Sequence, residues 1–109
     1  MRTWTSEVGD LVVLAGPLDV STVPDVRAVL HDAVDRGEGD LVVNLAAVEL
    51  VDATGLGVLV GTHRRAQRAG RRLVLRSTPP RIMRVLLVTR LNRVIAVEDI
   101  TLPDAVTVA

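Results

Sequence analysis

The stretch Leu50 to Gly61, LVDATGLGVLVG, holds the residues whose types and spacing could do chemistry. Asp52, Ala53, Thr54 and Gly55 stand where a strand hands over to a helix. A helix that begins at Thr54 or Gly55 points unpaired backbone N–H groups at the turn, and its dipole adds positive potential there. Such a turn favours an anion. In one reading the Asp52 carboxylate is that anion and caps the helix, with the Thr54 hydroxyl satisfying a further backbone donor. In the other the turn is a recognition surface, where adding or removing a phosphate changes the charge by about −1.5 to −2.

No second constellation competes with this turn. His63 lies between two and three turns along the same helix, ~12 Å or more from its start at 1.5 Å per residue, and reads as a packing or surface residue. His31 has no convergent partner in the sequence. The chain has no cysteine, which excludes disulfides and thiol chemistry, and two histidines alone rule out a Cys/His zinc site. The expectation is a protein that is not an enzyme and needs no metal or cofactor.

The elements that must position the turn can be read in order. Thr3 to Val8 and Leu11 to Ala15 read as strands joined by a tight reversal at Gly9-Asp10. The second run, LVVLA, is apolar throughout, as a strand covered on both faces would be. Gly16-Pro17 opens a loop that ends in a helix from about 22 to 36, with Thr22 as cap, Asp25 three residues on and Pro24 in the first turn. Val23, Val26, Leu30 and Val34 share its buried face, and Gly37-Glu38-Gly39 ends it, glycine supplying the left-handed residue. Leu41 to Leu45 is a Val-rich strand, so strand, helix and strand imply a right-handed crossover and a parallel pair.

Beyond the turn, Leu56, Leu59, Val60 and His63 share a helical face, and Ala69-Gly70 closes the helix. Arg72 to Arg76 is a short strand. Thr78 and two prolines start another helix, whose buried face is Ile82, Val85, Leu86 and Thr89. Asn92 turns the chain into a strand over Arg93 to Val97, and Thr101 caps a short helix through Val108. The expected class is α/β, in one domain over residues 1–109, with a core of Val, Leu, Ile and Ala because Trp4 is the chain's sole aromatic.

Composition narrows the functions. Hydrophobic residues make up 49% and charged residues 24%, a globular balance. The start of the chain lacks the pattern of a secretory signal, and no apolar run approaches the ~20 residues of a spanning helix, so a soluble cytoplasmic protein without membrane insertion is expected. Net charge is zero but segregated: residues 1–52 carry −7 and residues 53–97 carry +10, all from arginine. That basic span, with RRAQRAGRR at its centre, raises nucleic acid as a partner. It has no aromatic for base stacking and no nucleic-acid motif, which favours a solvated face or an acidic protein partner instead.

The ordered pieces GPLDVST, VVNLAAVELVDATGLGVLVGTHRRAQRAGRRLVL, TPPRIMRVLLVTRL and VIAVED resemble the STAS domain of bacterial anti-sigma-factor antagonists, from about Leu11 to Asp99. Asp52 with Thr54-Gly55-Leu56-Gly57, preceded by Gly16-x-Leu18-Asp19, carries most of the specificity. The resemblance implies a mixed sheet of four or five strands with helices packed against it. It also implies binding to an anti-sigma factor, usually a kinase of the histidine-kinase-like ATPase superfamily, so that a sigma factor is freed for transcription. Asp19, Ser21, Asp52, Ala53, Thr54, Gly55, Leu56 and Gly57 would form the partner-binding site.

Two departures from the family pattern stand out. The family's phosphoacceptor, a serine or threonine directly after the aspartate, is replaced by Ala53, which removes the usual switch and leaves an antagonist that binds constitutively or is controlled by another route; Thr54, one residue on, is either a substitute acceptor or simply a cap. Arg90 stands where glycine is common; in a left-handed conformation it costs on the order of 1 kcal/mol. The alternative is a STAS scaffold subunit of a stressosome-like or lipid-transport ABC assembly, and a homodimer stays open.

Overall fold

The computed structural model describes residues 1–98. In chain order these form β1 (Arg2–Thr5), β2 (Leu11–Leu18), α1 (Val23–Arg36), β3 (Asp40–Val51), α2 (Ala53–Arg68), β4 (Arg72–Arg76), α3 (Pro80–Val88), a 3-10 turn at Leu91–Arg93 and β5 (Ala96–Val97). The strands lie in the order β1-β2-β3-β4-β5, with β1 antiparallel to β2 and every other pair parallel. This is the mixed α/β sheet that the sequence implies. The helix expected from Thr101 lies outside the described residues.

Parallel strands bring their carboxyl ends to one edge of the sheet, and two of them set the site. β3 runs past the expected Leu45 to Val51, because Ala47 to Val51 pair with Ala15 to Leu18 of β2. β2 likewise continues through Gly16 and Pro17, where the sequence predicts a loop. Gly16 makes this extension feasible: its φ is +106°, and two register shifts let the bent strand stay paired. The two strands therefore end together, at Leu18 and Val51, one residue before Asp19 and Asp52.

One continuous core fills the space between a sheet face and the helices. Val12, Leu14 and Leu18 of β2, Leu41, Val43, Leu45 and Val48 of β3, and Leu73 and Leu75 of β4 meet Val26 and Leu30 of α1, Val58 and Leu59 of α2, and Ile82 and Leu86 of α3. β2 is thus covered on one face only: Leu11, Val13 and Ala15 alternate with its buried residues and stay half-exposed, against the expectation of a doubly covered strand. Trp4, opposite Val13 on β1, shares that open face and is 56% exposed.

Several ends differ from expectation for local reasons. β1 stops at Thr5 because the Ser6 hydroxyl takes over the turn, accepting from the Asp10 and Leu11 N–H groups and donating to the Asp10 carboxylate (2.6 Å). Thr22 makes no cap bond to α1; its hydroxyl donates to the Pro17 carbonyl and accepts from the Asp19 N–H instead. Gly37 is extended, and Gly39 is the left-handed residue of the Gly37-Glu38-Gly39 turn, φ 69°. Glycine is needed at 37 because a Cβ there would overlap the Gly9 carbonyl oxygen and lie 2.8 Å from the Arg71 guanidinium. On α2 the buried set is Gly55, Val58, Leu59, Thr62, His63 and Ala66, leaving Leu56 and Val60 at the edge of the face.

The third helix and last strand are also displaced. Pro79, not Thr78, is the N-cap of α3, and the Thr78 hydroxyl is buried without a partner among the described residues. Met83 is buried in place of the expected Val85 and Thr89, which are half-buried and exposed. Arg90 is left-handed at φ 62°, and the tight turn that follows holds β5 to Ala96–Val97.

Arg71 ties down the opposite edge of the sheet. The side chain is 6% exposed and donates to the carbonyls of Ala33 (2.8 Å) and Val34 (3.1 Å) at the end of α1, and to those of Gly9 (2.8 Å) and Gly39 (2.9 Å). It thereby supplies a donor to the Val34 carbonyl at the end of α1 and a second one to that of Ala33, which also accepts from the Gly37 N–H. Burial lowers its pKa from the ordinary guanidinium value, opposed by the carboxylates of Asp10, Asp40 and Glu38. Replacing Arg71 by Met should cost about 3 kcal/mol or more, since several buried carbonyls lose their donor together. Urea denaturation followed by far-ultraviolet circular dichroism tests this: an unchanged midpoint would mean the guanidinium contributes nothing net.

Candidate functional site

Asp52 joins two loops through both carboxylate oxygens. Its Oδ1 accepts from the Gly55 N–H (2.8 Å), the N-cap bond of α2, and its Oδ2 accepts from the Val20 N–H (3.1 Å) in the β2–α1 loop. Its own N–H donates to the Leu18 carbonyl (3.2 Å). The helix starts at Ala53, so Thr54 lies inside the first turn and is not the cap. One carboxylate thus meets the positive end of α2 and fixes the neighbouring loop beside it.

The approach is close enough to demand glycine. Gly55 is buried, and a Cβ on it would overlap the Leu18 carbonyl oxygen and sit 2.9 Å from Leu18 Cγ. Gly57 meets nothing within 4 Å, so its lack of a side chain leaves open surface instead of relieving a clash.

Asp19 organises the other loop. Its Oδ1 accepts from the Ser21 hydroxyl (2.6 Å) and from the Ser21 and Thr22 N–H groups (3.0 and 3.3 Å), while its carbonyl accepts from the Val23 N–H (2.9 Å). The Ser21 hydroxyl, followed by the backbone donors, holds the Asp19 carboxyl below its ordinary pKa. The result is a rigid loop on which Val20, 68% exposed, and Ser21 face solvent next to exposed Ala53 and Thr54.

Of the residues expected at the site, Asp19, Ser21, Asp52, Ala53 and Thr54 are therefore brought to one end of the sheet. Gly55 sits behind that surface and Leu56 is half-buried, so both act on it by position. Val20 was not among the expected residues. Its role depends on a bond to Asp52, 32 positions away, and its one local hint is an apolar residue between two polar ones in a loop.

Part of the arginine span is engaged in the fold. Arg65 pairs with Asp35 (2.7 Å), Arg72 with Asp40 (2.7 Å) and Arg76 with Glu98 (2.7 Å), and in each case the ion pair lowers the carboxylate's pKa. Arg81 donates to the Glu49 carbonyl (3.3 Å), and Arg71 is the buried residue described above. The segregation of charge along the chain is thus partly undone in space. His63 is buried on α2, about 15 Å along the helix from Ala53. No group of His, Cys, Asp and Glu that could hold a metal occurs among the described residues, and no helix there is long and apolar enough to cross a membrane.

A family model described as "Mlab, STAS domain" matches residues 1–100, and the chain belongs to the STAS domain family. The anti-sigma-B factor antagonist of Staphylococcus epidermidis is 37% identical over 88 residues, covering 81% of this chain and 82% of that protein. Among solved structures, an anti-sigma factor antagonist from Mycobacterium paratuberculosis superposes with a TM-score of 0.73 at 26% identity, covering 98% of this chain and 92% of that one. The Bacillus cell fate determinant SpoIIAA in its phosphorylated form shares the fold, with a TM-score of 0.66 at 21% identity and coverage of 95% and 99%.

Two outcomes follow from this geometry. Gly55→Ala should destabilise the fold by about 1–3 kcal/mol, because the clash is with backbone; a thermal midpoint equal to the parent's would show that the loops can part freely. In a carbon-detected NMR titration Asp19 should titrate below 3.8, and Ser21→Ala should move it upward. Because the folded pKa is the lower one, the loop's contribution to stability is present above the unfolded value and is lost as pH falls through the folded one. An Asp19 midpoint indifferent to Ser21→Ala contradicts the hydrogen bond.

Proposed function

We propose that this protein is an anti-sigma-factor antagonist, which binds an anti-sigma factor through the surface of Asp19, Val20, Ser21, Asp52, Ala53 and Thr54 and so frees a sigma factor for transcription. The observation that carries the reading is the Asp52 clamp, which presents two loops as one preformed face beside a helix N-terminus. The 37% identity to a protein named as an antagonist supports the same assignment. Preformed surfaces bind with little ordering cost. The partner on this reading is a kinase of the histidine-kinase-like ATPase type.

Ala53 gives the surface an exposed methyl where the family carries its phosphoacceptor. A methyl cannot take phosphate, so the surface binds its partner without the usual off-switch at this position. The missing acceptor also favours a second reading, a STAS scaffold subunit of a stressosome-like or lipid-transport ABC assembly.

Pull-down from the producing cells separates the two: a histidine-kinase-like ATPase supports the antagonist, and a permease ATPase or a multi-STAS assembly supports the scaffold. Ala53→Asp should weaken partner binding about tenfold or more, since it places a carboxylate where the family places phosphate. An acid at the first position of a helix is favourable to folding, so the loss would not reflect unfolding. Affinity unchanged in isothermal titration would remove this face from the interface.

A further inference from the structure

We propose that Ser21 is the phosphoacceptor of this protein, and that its phosphorylation breaks the two-loop face and releases the partner. The inference rests on the antagonist reading above and names the regulation of that same surface. It starts from chemistry that the face still holds after Ala53 has lost the hydroxyl.

The chain has three serines, and their settings differ. Ser6 is consumed by its own turn, where its oxygen accepts two N–H bonds and its proton goes to Asp10. Ser77 follows β4 in a left-handed conformation, φ 56°. Ser21 alone lies on the β2–α1 loop, exposed, next to the Val20 N–H that Asp52 holds. Its proton is directed at Asp19 Oδ1 at 2.6 Å, which leaves the oxygen lone pairs free to meet an incoming phosphorus. Thr54, the other exposed hydroxyl on the face, sits within the first turn of α2, with no comparable carboxylate bond among the described residues.

The reaction needs a nucleoside triphosphate, supplied by the kinase partner. Ser21 Oγ attacks the γ-phosphorus and an Oγ–P bond forms. The bond from that phosphorus to the β–γ bridging oxygen breaks, and the nucleoside diphosphate leaves with the electron pair. The hydroxyl proton passes along the hydrogen bond to Asp19 and on to solvent. In protein kinases an aspartate of the enzyme's catalytic loop accepts the substrate hydroxyl's proton; here Asp19 of the same chain already takes that bond and orients the nucleophile.

The consequences follow from charge. A phosphoserine carries about −1.5 to −2 at neutral pH and cannot donate to Asp19 as the hydroxyl did. It stands beside two carboxylates, Asp19 directly and Asp52 through Val20, so repulsion opposes both bonds that hold the loop. The loop then leaves the start of α2, and a dianion occupies the surface the partner needs.

The test uses the intact protein with the kinase recovered by the pull-down described above. The two are incubated with ATP and magnesium, and the modified residue is mapped by tandem mass spectrometry. The expected result is one phosphate, on Ser21, with at least about a tenfold loss of affinity for the partner that phosphatase treatment reverses. Ser21→Ala should take up no phosphate while keeping the parent's circular dichroism spectrum. Phosphate on Thr54 or elsewhere, a bound kinase that leaves Ser21 unmodified, or phospho-Ser21 with undiminished affinity each overturns the proposal while leaving the antagonist reading standing. Recovery of no kinase at all overturns both.

Discussion

The carboxylate of Asp52 is the single group through which the site end of the molecule is assembled. A helix N-terminus offers donors with no intrahelical partner, and an ordinary cap would satisfy one of them and stop. Here the second oxygen reaches the adjacent loop, at Val20, and the backbone of the same residue anchors to Leu18. The strands must therefore end in step, which explains why β2 bends through Gly16 and Pro17 instead of stopping at Ala15. Gly55 completes the constraint by removing the one Cβ that would hold the two backbones apart. A surface of polar loop residues becomes rigid without an apolar anchor of its own.

The far edge of the sheet solves a related problem with the opposite charge. The end of α1, the turn at Gly9 and the glycine loop before β3 all present carbonyl oxygens, and Arg71 gathers them with five N–H donors in a fixed fork. Its charge is buried with no carboxylate among the described residues in direct contact, so carbonyl dipoles replace the lost water. An acid binds backbone donors at one end of the sheet and a base binds backbone acceptors at the other. Between them the core is aliphatic and leaves the polar work to the edges.

The order of strands and helices was legible because hydrophobic period and glycine–proline punctuation are local signals. β4 and the span of α1 show this, since each is bounded by turn residues and carries a clean apolar face. The carboxyl halves of β2 and β3 were not legible. Gly16-Pro17 reads as loop when taken alone and becomes strand by pairing with Val48 and Leu50, and the chain beyond Leu45 becomes strand by pairing with Ala15 to Leu18. The cap of α1 failed for the same kind of reason: Thr22 and Asp25 have the right spacing, but Asp19 and Pro17 offer the threonine hydroxyl better partners. At the site, Asp52 as a cap could be read from one dozen residues, whereas its bond to Val20 and the burial of Arg71 among ten similar arginines depend on contacts more than thirty positions apart.

The open face of the sheet has an optical consequence. Trp4 is the chain's sole aromatic, and it lies on the short edge strand with more than half its surface in water. Its emission in the folded state should already resemble that of an indole in solvent, and melting of the aliphatic core will barely move it. The same placement makes it a selective reporter: quenching or a blue shift on mixing would mark a contact made across the uncovered face of the sheet, while an event at the Asp52 end would leave it dark.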